Sequence, residues 1–462
     1  MDQEAWLKPG SKGRVLIVGF GIDAGASAAR FFLDRGWTVT VYDAKPEEAF
    51  SLKDVQPLRD QGVTFQFGAA TSQGEYDLVI RSPGILPTHP IIAAYLHEKI
   101  PVSSATNIFL ALCPGKIIGV TGTKGKGTTA SFIYEILKAD NKKVVLGGNI
   151  GQPMLDMLRT IDAETIVVLE LSSFQLMDAT RSPHVAVVLM ITADHLDVHA
   201  SLREYVNAKA RIGRYQKADD LMIYNADYPE SVYIATQSKA KKYVVSTKEV
   251  PQEEGCFIEG NEIVLHHGGV HETIEMTRNV QLPGRHNLEN VCAAIAAARN
   301  MGASDEAIKK TIITFKGLEH RLEFVREVQG VKYYNDSFAT NPSSTIAAIE
   351  AFDVPKVLIV GGSTKGSDFS ELVQVISERK NIRAIIGIGE EWPKIKSAIQ
   401  AAGASDIHYI EDLTKMKNIV AAAHDVAQMG DIVLLSPACA SFGLFKNYKD
   451  RGEQFKAAVN EL

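Results

Sequence analysis

Residues Gly119 to Thr129 read GVTGTKGKGTT directly after the apolar pair Ile117-Ile118, a spacing of glycines, lysine and threonines suited to holding phosphate. A buried strand that ends in a glycine-rich turn and then opens a helix aims backbone N–H groups and the positive end of the helix dipole at one point. Gly122, Thr123, Lys124, Gly125, Lys126, Gly127, Thr128 and Thr129 would line that cradle. Lys126 would place a cation among the phosphate oxygens, and the hydroxyl of Thr128 or Thr129 would reach a magnesium ion. The loop departs from the standard phosphate-loop pattern twice: Val120 stands where the pattern has its first glycine, and Gly127 follows the lysine in place of Ser or Thr. A tight strand-to-helix turn in an ordinary α/β protein is the simpler alternative.

Further candidates follow in the same stretch. The run IVVLEL, residues 166–171, carries a single charge, Glu170. A carboxylate near the carboxyl end of a buried strand is costly without a cation or donors around it, and the carboxyl ends of strands are where open α/β sheets bind ligands. Glu170 therefore reads as linked to magnesium rather than as a satisfied structural acid. The apolar run Val185 to Ile191 leads into Thr192-Ala193-Asp194-His195-Leu196-Asp197, which would put His195 at the same edge as Lys126 and Glu170, although such a cluster alone is commonly a capped loop. Lys209, inside NAKARI on an expected helix from Leu202 to Arg214, has the default reading of a solvated charge. Asn287 and Asn290 fall in the first turn of an alanine-rich helix that ends at Asn300; amides there read a base edge or simply cap the helix.

The elements that must position these side chains are α/β throughout. Near the N-terminus, an apolar strand from Val15 to Val18 is followed by Gly19, Gly21 and Gly25, a helix from Ala26 to Arg35 and a strand from Val39 to Tyr42 that ends at Asp43. That is a Rossmann-like half with an acid placed to meet a ribose or base, but its GxGxxxG spacing is one residue longer than the dinucleotide fingerprint. Later strands and the turn Ser82-Pro83-Gly84 complete a first unit, residues 1–105. The cradle then needs its own strand and helix, which opens a central domain, residues 106–316, with a small additional β-rich region between residues 221 and 266. From Gly317, strands at Lys332 to Asn335, Val357 to Val360, Ile382 to Ile388, Ile407 to Tyr409 and Ile432 to Leu435 alternate with helical stretches. This predicts a second Rossmann-like domain, residues 317–462, whose polar loops at residues 336–341, 361–365 and 436–441 share one sheet edge.

Composition is that of an ordinary globular protein: 45% apolar and 23% charged over 462 residues, a length that suggests about three domains. A net charge of −6 gives no basic footprint for nucleic acid. The N-terminal MDQEAWLKPG has no leader pattern and no apolar run approaches the ~18 residues of a membrane span, so a cytoplasmic protein without membrane contact is expected. Cys113, Cys256, Cys292 and Cys439 are widely spaced, which suits reduced thiols rather than a zinc knuckle.

Taken together, the ordered set VTGTKGKGTT, LELSSFQL, ADHLD, NAKARI, GRHNLEN, GLEHRLE, NDSFATNP, GGSTKGSDF and LSPACASFGLFKNYKDRGEQF resembles the Mur ligases over nearly the whole chain. The resemblance implies an ATP- and magnesium-dependent ligase, expected as a monomer, that joins D-glutamate to UDP-N-acetylmuramoyl-L-alanine through an acyl phosphate, with a central ATPase between a UDP-sugar domain and an amino-acid domain. It also implies roles. Lys126 stands for the lysine at the ATP phosphates, Glu170 and His195 for magnesium ligands, and Lys209 for a lysine that is carbamylated by carbon dioxide and becomes a further ligand. Asn287 and Asn290 match adenine contacts, Arg321 and Asp336 other nucleotide contacts, and Asn149 the muramoyl contact. Gly21, Asp43 and Ser82 match the UDP-binding loops, and Thr340, Lys365, Ser441 and Tyr448 the amino-acid site. Gly127 moves the magnesium hydroxyl to Thr128. Phe338 replaces a lysine and Gly443 an acid near the incoming amino acid, so a Mur-type ligase for a different amino acid stays open. A dinucleotide-binding oxidoreductase would explain Gly19 to Asp43 but would leave Lys126, Glu170 and Lys209 without roles.

Overall fold

The structure is a computed structural model that describes residues 5–21, 24–69, 71–72, 74–195, 198–250, 252–364, 366–404 and 407–462. Its residues group into two compact units, one of Met1–Thr277 with Glu289–Ile312, the other of Arg278–Leu288 with Ile313–Leu462.

The first unit holds two sheets. Strands β1 (Arg14–Val18), β2 (Thr38–Asp43), β3 (Thr64–Phe67), β4 (Leu78–Arg81) and β5 (Val102–Ser104) pair in parallel in the order β3-β2-β1-β4-β5. This is the Rossmann-like arrangement expected from the glycine turn, and the helix Ala24–Asp34 follows β1 as expected. A Cβ at Gly25 would stand 2.7 Å from Gly19 O, so the close approach of helix to strand needs glycine there. The central sheet contains β6 (Lys116–Thr121), β7 (Val144–Gly148), β8 (Ile166–Glu170), β9 (Val185–Val188), β10 (Leu221–Asn225), β11 (Lys241–Ser246), β12 (Gly255–Glu259), β13 (Glu262–His267) and β14 (Val270–Met276). Their order is β14-β13-β12-β11-β10-β9-β6-β8-β7, parallel except for the antiparallel meander β12 to β14. Strands β6, β8 and β9 sit in the middle, buried on both faces, which is why they read as unbroken apolar runs.

The second unit carries β15 (Glu323–Val328), β16 (Val331–Asn335), β17 (Lys356–Gly361), β18 (Ile382–Ile388), β19 (His408–Ile410) and β20 (Ile432–Leu435) in the order β15-β16-β20-β17-β18-β19. All pairs are parallel except the hairpin β15–β16. The second Rossmann-like sheet and the small β region of the central domain are thus both present.

Some elements differ from the sequence reading. The helix after the cradle spans Lys126–Ala139, opening four residues before its first apolar side chain, because Gly125 in the left-handed region (φ 83°) turns the chain straight into helix. Strands β14 and β15 carry charges and fully bury only one residue each, so their apolar signal is weak. Helix Pro229–Thr236 begins at a proline, which suits the first helical position although it reads as a breaker in sequence.

Lys356, at the start of β17, is fully buried, and its Nζ donates to Phe352 O at 2.9 Å. Burial, with Arg379 nearby, pulls its pKa from 10.5 down to about 8. Because the folded value is the lower one, the unfolded chain holds more protons between those two pH values, and stability rises with pH across that window. The Lys356→Met protein is expected to lack this rise, so that the unfolding free energies of the two proteins converge by about 2 kcal/mol between pH 8 and 10.5; urea melts of both proteins across that range check it.

Candidate active site

The cradle is built by stitching the end of β6 to the ends of β8 and β9. Thr121 Oγ1 donates to Leu171 O at 2.8 Å, and Thr123 N donates to Met190 O at 2.8 Å. The Thr123 hydroxyl donates to Thr192 O and accepts from Thr192 N, each at 3.0 Å, and lies 3.2 Å from the Tyr205 hydroxyl. Lys126 heads the helix with its Nζ folded back onto Gly122 O at 3.0 Å and Thr123 O at 2.9 Å, so the ammonium lies across the turn whose N–H groups would meet phosphate. Asn290 packs on the same loop: its Oδ1 would be 2.1 Å from a Cβ at Gly125, and Thr129 Oγ1 lies 3.4 Å from its O and Oδ1. Asn287, three residues earlier, donates to Pro283 O at 2.6 Å.

Glu170 ends β8 and is 2% exposed. Its Oε1 accepts from Asn149 Nδ2 at 2.9 Å, while Oε2 is buried without a hydrogen-bond partner. A buried carboxylate oxygen left without a hydrogen-bond partner is a candidate site for a cation. Lys209 is 1% exposed on the helix Leu202–Arg214, so the default of a solvated charge is corrected: the helix turns this residue inward with Tyr205, Val206 and Ala210. Its Nζ donates to Gly122 O at 2.9 Å and lies 4.6 Å from the centre of the Tyr205 ring. Burial, then the charge of Lys126, push the Lys209 pKa well below the usual lysine value, and Asp194 and Glu170 pull the other way. Lys126, Asp194 and Glu170 are therefore all close enough to act on Lys209. His195 holds a left-handed backbone (φ 52°), with its Nε2 3.7 Å from Asp194 Oδ2 and its ring edge-on to Phe174 at 5.2 Å. Leu196 and Asp197 lie outside the described residues. Behind Phe174, buried His199 is 3.1 Å from Ser173 Oγ, a pairing that no motif announced.

In the N-terminal sheet, Asp43 Oδ2 accepts from Phe20 N at 2.8 Å and Ser82 Oγ donates to Gly19 O at 2.6 Å. Asp43 and Ser82 thus fix the turn that carries exposed Gly21, whose neighbours Ile22 and Asp23 lie outside the described residues. A pocket of about 340 Å³ opens beside this loop, lined by Pro83, Gly84, Leu86, Asn149, Ser172, Phe174 and Val198. It puts Asn149 at the pocket wall while the same side chain holds Glu170.

In the second unit the three polar loops do share one sheet edge, at the ends of β16, β17 and β20. Asp336 accepts from Leu322 N at 3.1 Å and from Ser436 Oγ at 2.8 Å. The Arg321 guanidinium lies 3.9 Å over the Phe338 ring, and Tyr448 meets that ring edge-on at 5.0 Å. Thr340 N donates to Phe338 O at 2.8 Å, Ser441 is buried, and Lys365 lies outside the described residues. Arg451, fully buried, was not legible as a site residue: its guanidinium donates to Ser337 Oγ and O, each at 2.9 Å, and to Cys439 O at 3.3 Å, tying two of the three loops together. Burial lowers its pKa to about 10.

A phosphate-loop domain with a cation-ready carboxylate, accompanied by two Rossmann-like sheets, defines a nucleotide-using α/β enzyme. Three family patterns match along the chain: the Mur ligase MurD-like N-terminal domain over residues 13–104, the Mur ligase middle domain over 120–298 and the Mur ligase glutamate ligase domain over 320–439. The UDP-N-acetylmuramoylalanine--D-glutamate ligase of Symbiobacterium thermophilum is 38% identical over 97% of this chain and 98% of its own length. The protein of the same name from Listeria monocytogenes serotype 4b is 38% identical over 97% of this chain and 96% of its own. MurF of Acinetobacter baumannii shares the fold, with a TM-score of 0.62 at 16% identity over 96% of this chain and 93% of that one. The chain belongs to the Mur ligase family, whose members use ATP and magnesium. Among the described residues no helix is long and apolar enough to cross a membrane.

Proposed function

We propose that this Mur ligase joins D-glutamate to the alanine carboxylate of UDP-N-acetylmuramoyl-L-alanine, driven by ATP, in the cytoplasmic stage of peptidoglycan precursor synthesis. The observation that carries the reading is the cluster of Lys126, Glu170, Asp194 and Lys209 at the ends of β6, β8 and β9, with one carboxylate oxygen open. Similarity along nearly the full length to ligases of that name supports the choice of substrates.

In this reading the cradle residues Gly122 to Thr129 hold the ATP phosphates and Lys126 leaves its loop carbonyls to neutralise them. Glu170, His195, Thr128 and a carbamate on Lys209 would hold magnesium, which when bound offsets the repulsion between the substrate carboxylate and the phosphates. Burial and Lys126 lower the Lys209 pKa and so favour the neutral, nucleophilic amine, whose nitrogen adds to the carbon of carbon dioxide, loses a proton and becomes an anion. A carboxylate oxygen of the substrate attacks the γ-phosphorus and ADP leaves. The neutral amine of D-glutamate then attacks the acyl phosphate carbonyl and phosphate departs. Phe174 and Val198 shield the reacting end of the pocket from water. We assign Asn287 and Asn290 to adenine, Arg321 and Asp336 to the nucleotide, Gly21, Asp43 and Ser82 to the uridine diphosphate, Asn149 to the muramoyl group, and Thr340, Lys365, Ser441 and Tyr448 to the amino acid, within domains of residues 1–105, 106–316 and 317–462.

One observation keeps a second amino acid in the test. Phe338 is an exposed aromatic covered by Arg321, a pairing that offers both an apolar surface and a cation. With UDP-N-acetylmuramoyl-L-alanine, ATP and magnesium, a panel of D- and L-amino acids is expected to release phosphate and give a ligated mass with D-glutamate above all others. Coupling of another amino acid in its place sinks the substrate assignment, and coupling of none sinks the ligase reading.

A further inference from the structure

Arg81 ends β4 and is 1% exposed, in a stretch, IRSPGILP, whose sequence singled out Ser82 but not the arginine. Its Nε donates to Asp178 Oδ2 at 2.9 Å. One terminal nitrogen lies 2.8 Å from Asp178 Oδ1, in ion-pair contact off the N–H axis, and donates to Phe174 O at 3.1 Å. The other donates to Ser82 O and Pro83 O, both at 3.3 Å, and to Ile85 O at 2.6 Å. Asp178 is held from its other side by Asn107, whose Nδ2 donates to Asp178 O at 3.0 Å and whose Oδ1 accepts from Thr180 N at 2.9 Å.

These partners are the two walls of the pocket. Pro83, Gly84 and Leu86 line one side and Ser172 and Phe174 the other, while Arg81 stands behind both. A planar guanidinium with five donors can fasten several backbone carbonyls and a carboxylate at once, which a lysine ammonium cannot do in the same geometry. We propose that Arg81 is a positioning residue that fixes the spacing of the pocket walls, through residues 82–85 and 174–178, and thereby sets affinity for the nucleotide-sugar substrate without touching it. The substrate half of this inference rests on the function proposed above.

The test uses the whole enzyme with Arg81→Met, Arg81→Lys, Asp178→Asn and the Arg81→Met/Asp178→Asn pair. Arg81→Met is expected to raise the KM for UDP-N-acetylmuramoyl-L-alanine about tenfold or more, with kcat and the KM for ATP within about threefold of the parent. Arg81→Lys is expected to fall between, and the double variant to be no worse than Arg81→Met alone. Amide hydrogen exchange is expected to quicken in Arg81→Met at residues 82–85 and 174–178 and not in the cradle. Unchanged acceptor KM in a variant that melts like the parent overturns the proposal, as does an equal rise of every KM, which would reduce Arg81 to general stability. If Arg81→Met does not fold, Arg81→Lys and Asp178→Asn carry the same comparison. If the parent turns over no UDP-sugar at all, the functional reading is what fails; exchange rates then decide the positioning claim, and unchanged rates in both segments overturn it.

Discussion

Glu170→Gln is expected to lower kcat by roughly 10³-fold while leaving the KM for ATP within a few-fold, because the phosphate grip lies in the loop and not in this carboxylate. The substitution keeps volume and shape. Its amide oxygen can still accept from Asn149 Nδ2, which contacts Glu170 Oε1 at 2.9 Å. The amide nitrogen then takes the place of Oε2, the buried oxygen that has no partner, and turns an acceptor into a donor where the proposed magnesium would bind. Stability should move the opposite way. An unpaired buried carboxylate is costly, so in the absence of magnesium the glutamine protein is expected to be more stable by about 1 kcal/mol. Phosphate-release kinetics and thermal melts with and without magnesium check both halves. A structural glutamate would give the reverse pair of results, an active but destabilised variant.

The sequence carried the fold well where burial is two-sided. Strands such as Val167 to Leu169 face apolar neighbours on both sides and so appear as solid hydrophobic runs. Edge strands β14 and β15 fully bury only one residue each, and their pattern dissolves into charge. The cradle's strand-to-helix turn and the buried place of Glu170 at the end of β8 were legible because glycine and a lone carboxylate are out of place in a buried sheet. Lys209 was different. Nothing in NAKARI distinguishes an inward lysine from an outward one, since the helix register that buries it is set by Tyr205, Val206 and Ala210, and only family resemblance singled it out. Arg81 and Arg451 were missed for a related reason. Arginine is almost never fully buried, so its default place is the surface, and the partners that bury these two are mostly backbone carbonyls, which have no sequence signature.

Lys209→Ala is expected to lose activity by about 10³-fold or more, with acetate, formate or propionate partly restoring it. The amine sits beside Gly122 O with a pKa pushed well down, first by burial and then by Lys126. A lysine retained for its positive charge would not be placed where that charge is opposed. In the function proposed above it adds carbon dioxide, and the carbamate would exchange a cation repelled by Lys126 for an anion that Lys126 attracts. Alanine leaves a small void beside the cradle, into which a short carboxylate can bring the missing charge. The parent enzyme is accordingly expected to lose activity when carbon dioxide is stripped from the buffer and to regain it on addition of bicarbonate if the carbamate is the active form. Rescue by carboxylates but not by chloride at equal ionic strength separates replacement of the carbamate from a general salt effect, since screening depends on ionic strength and not on the identity of the anion. Full activity in the plain alanine variant would remove any role for a modified Lys209 and leave Glu170 and His195 as the cation ligands of the site.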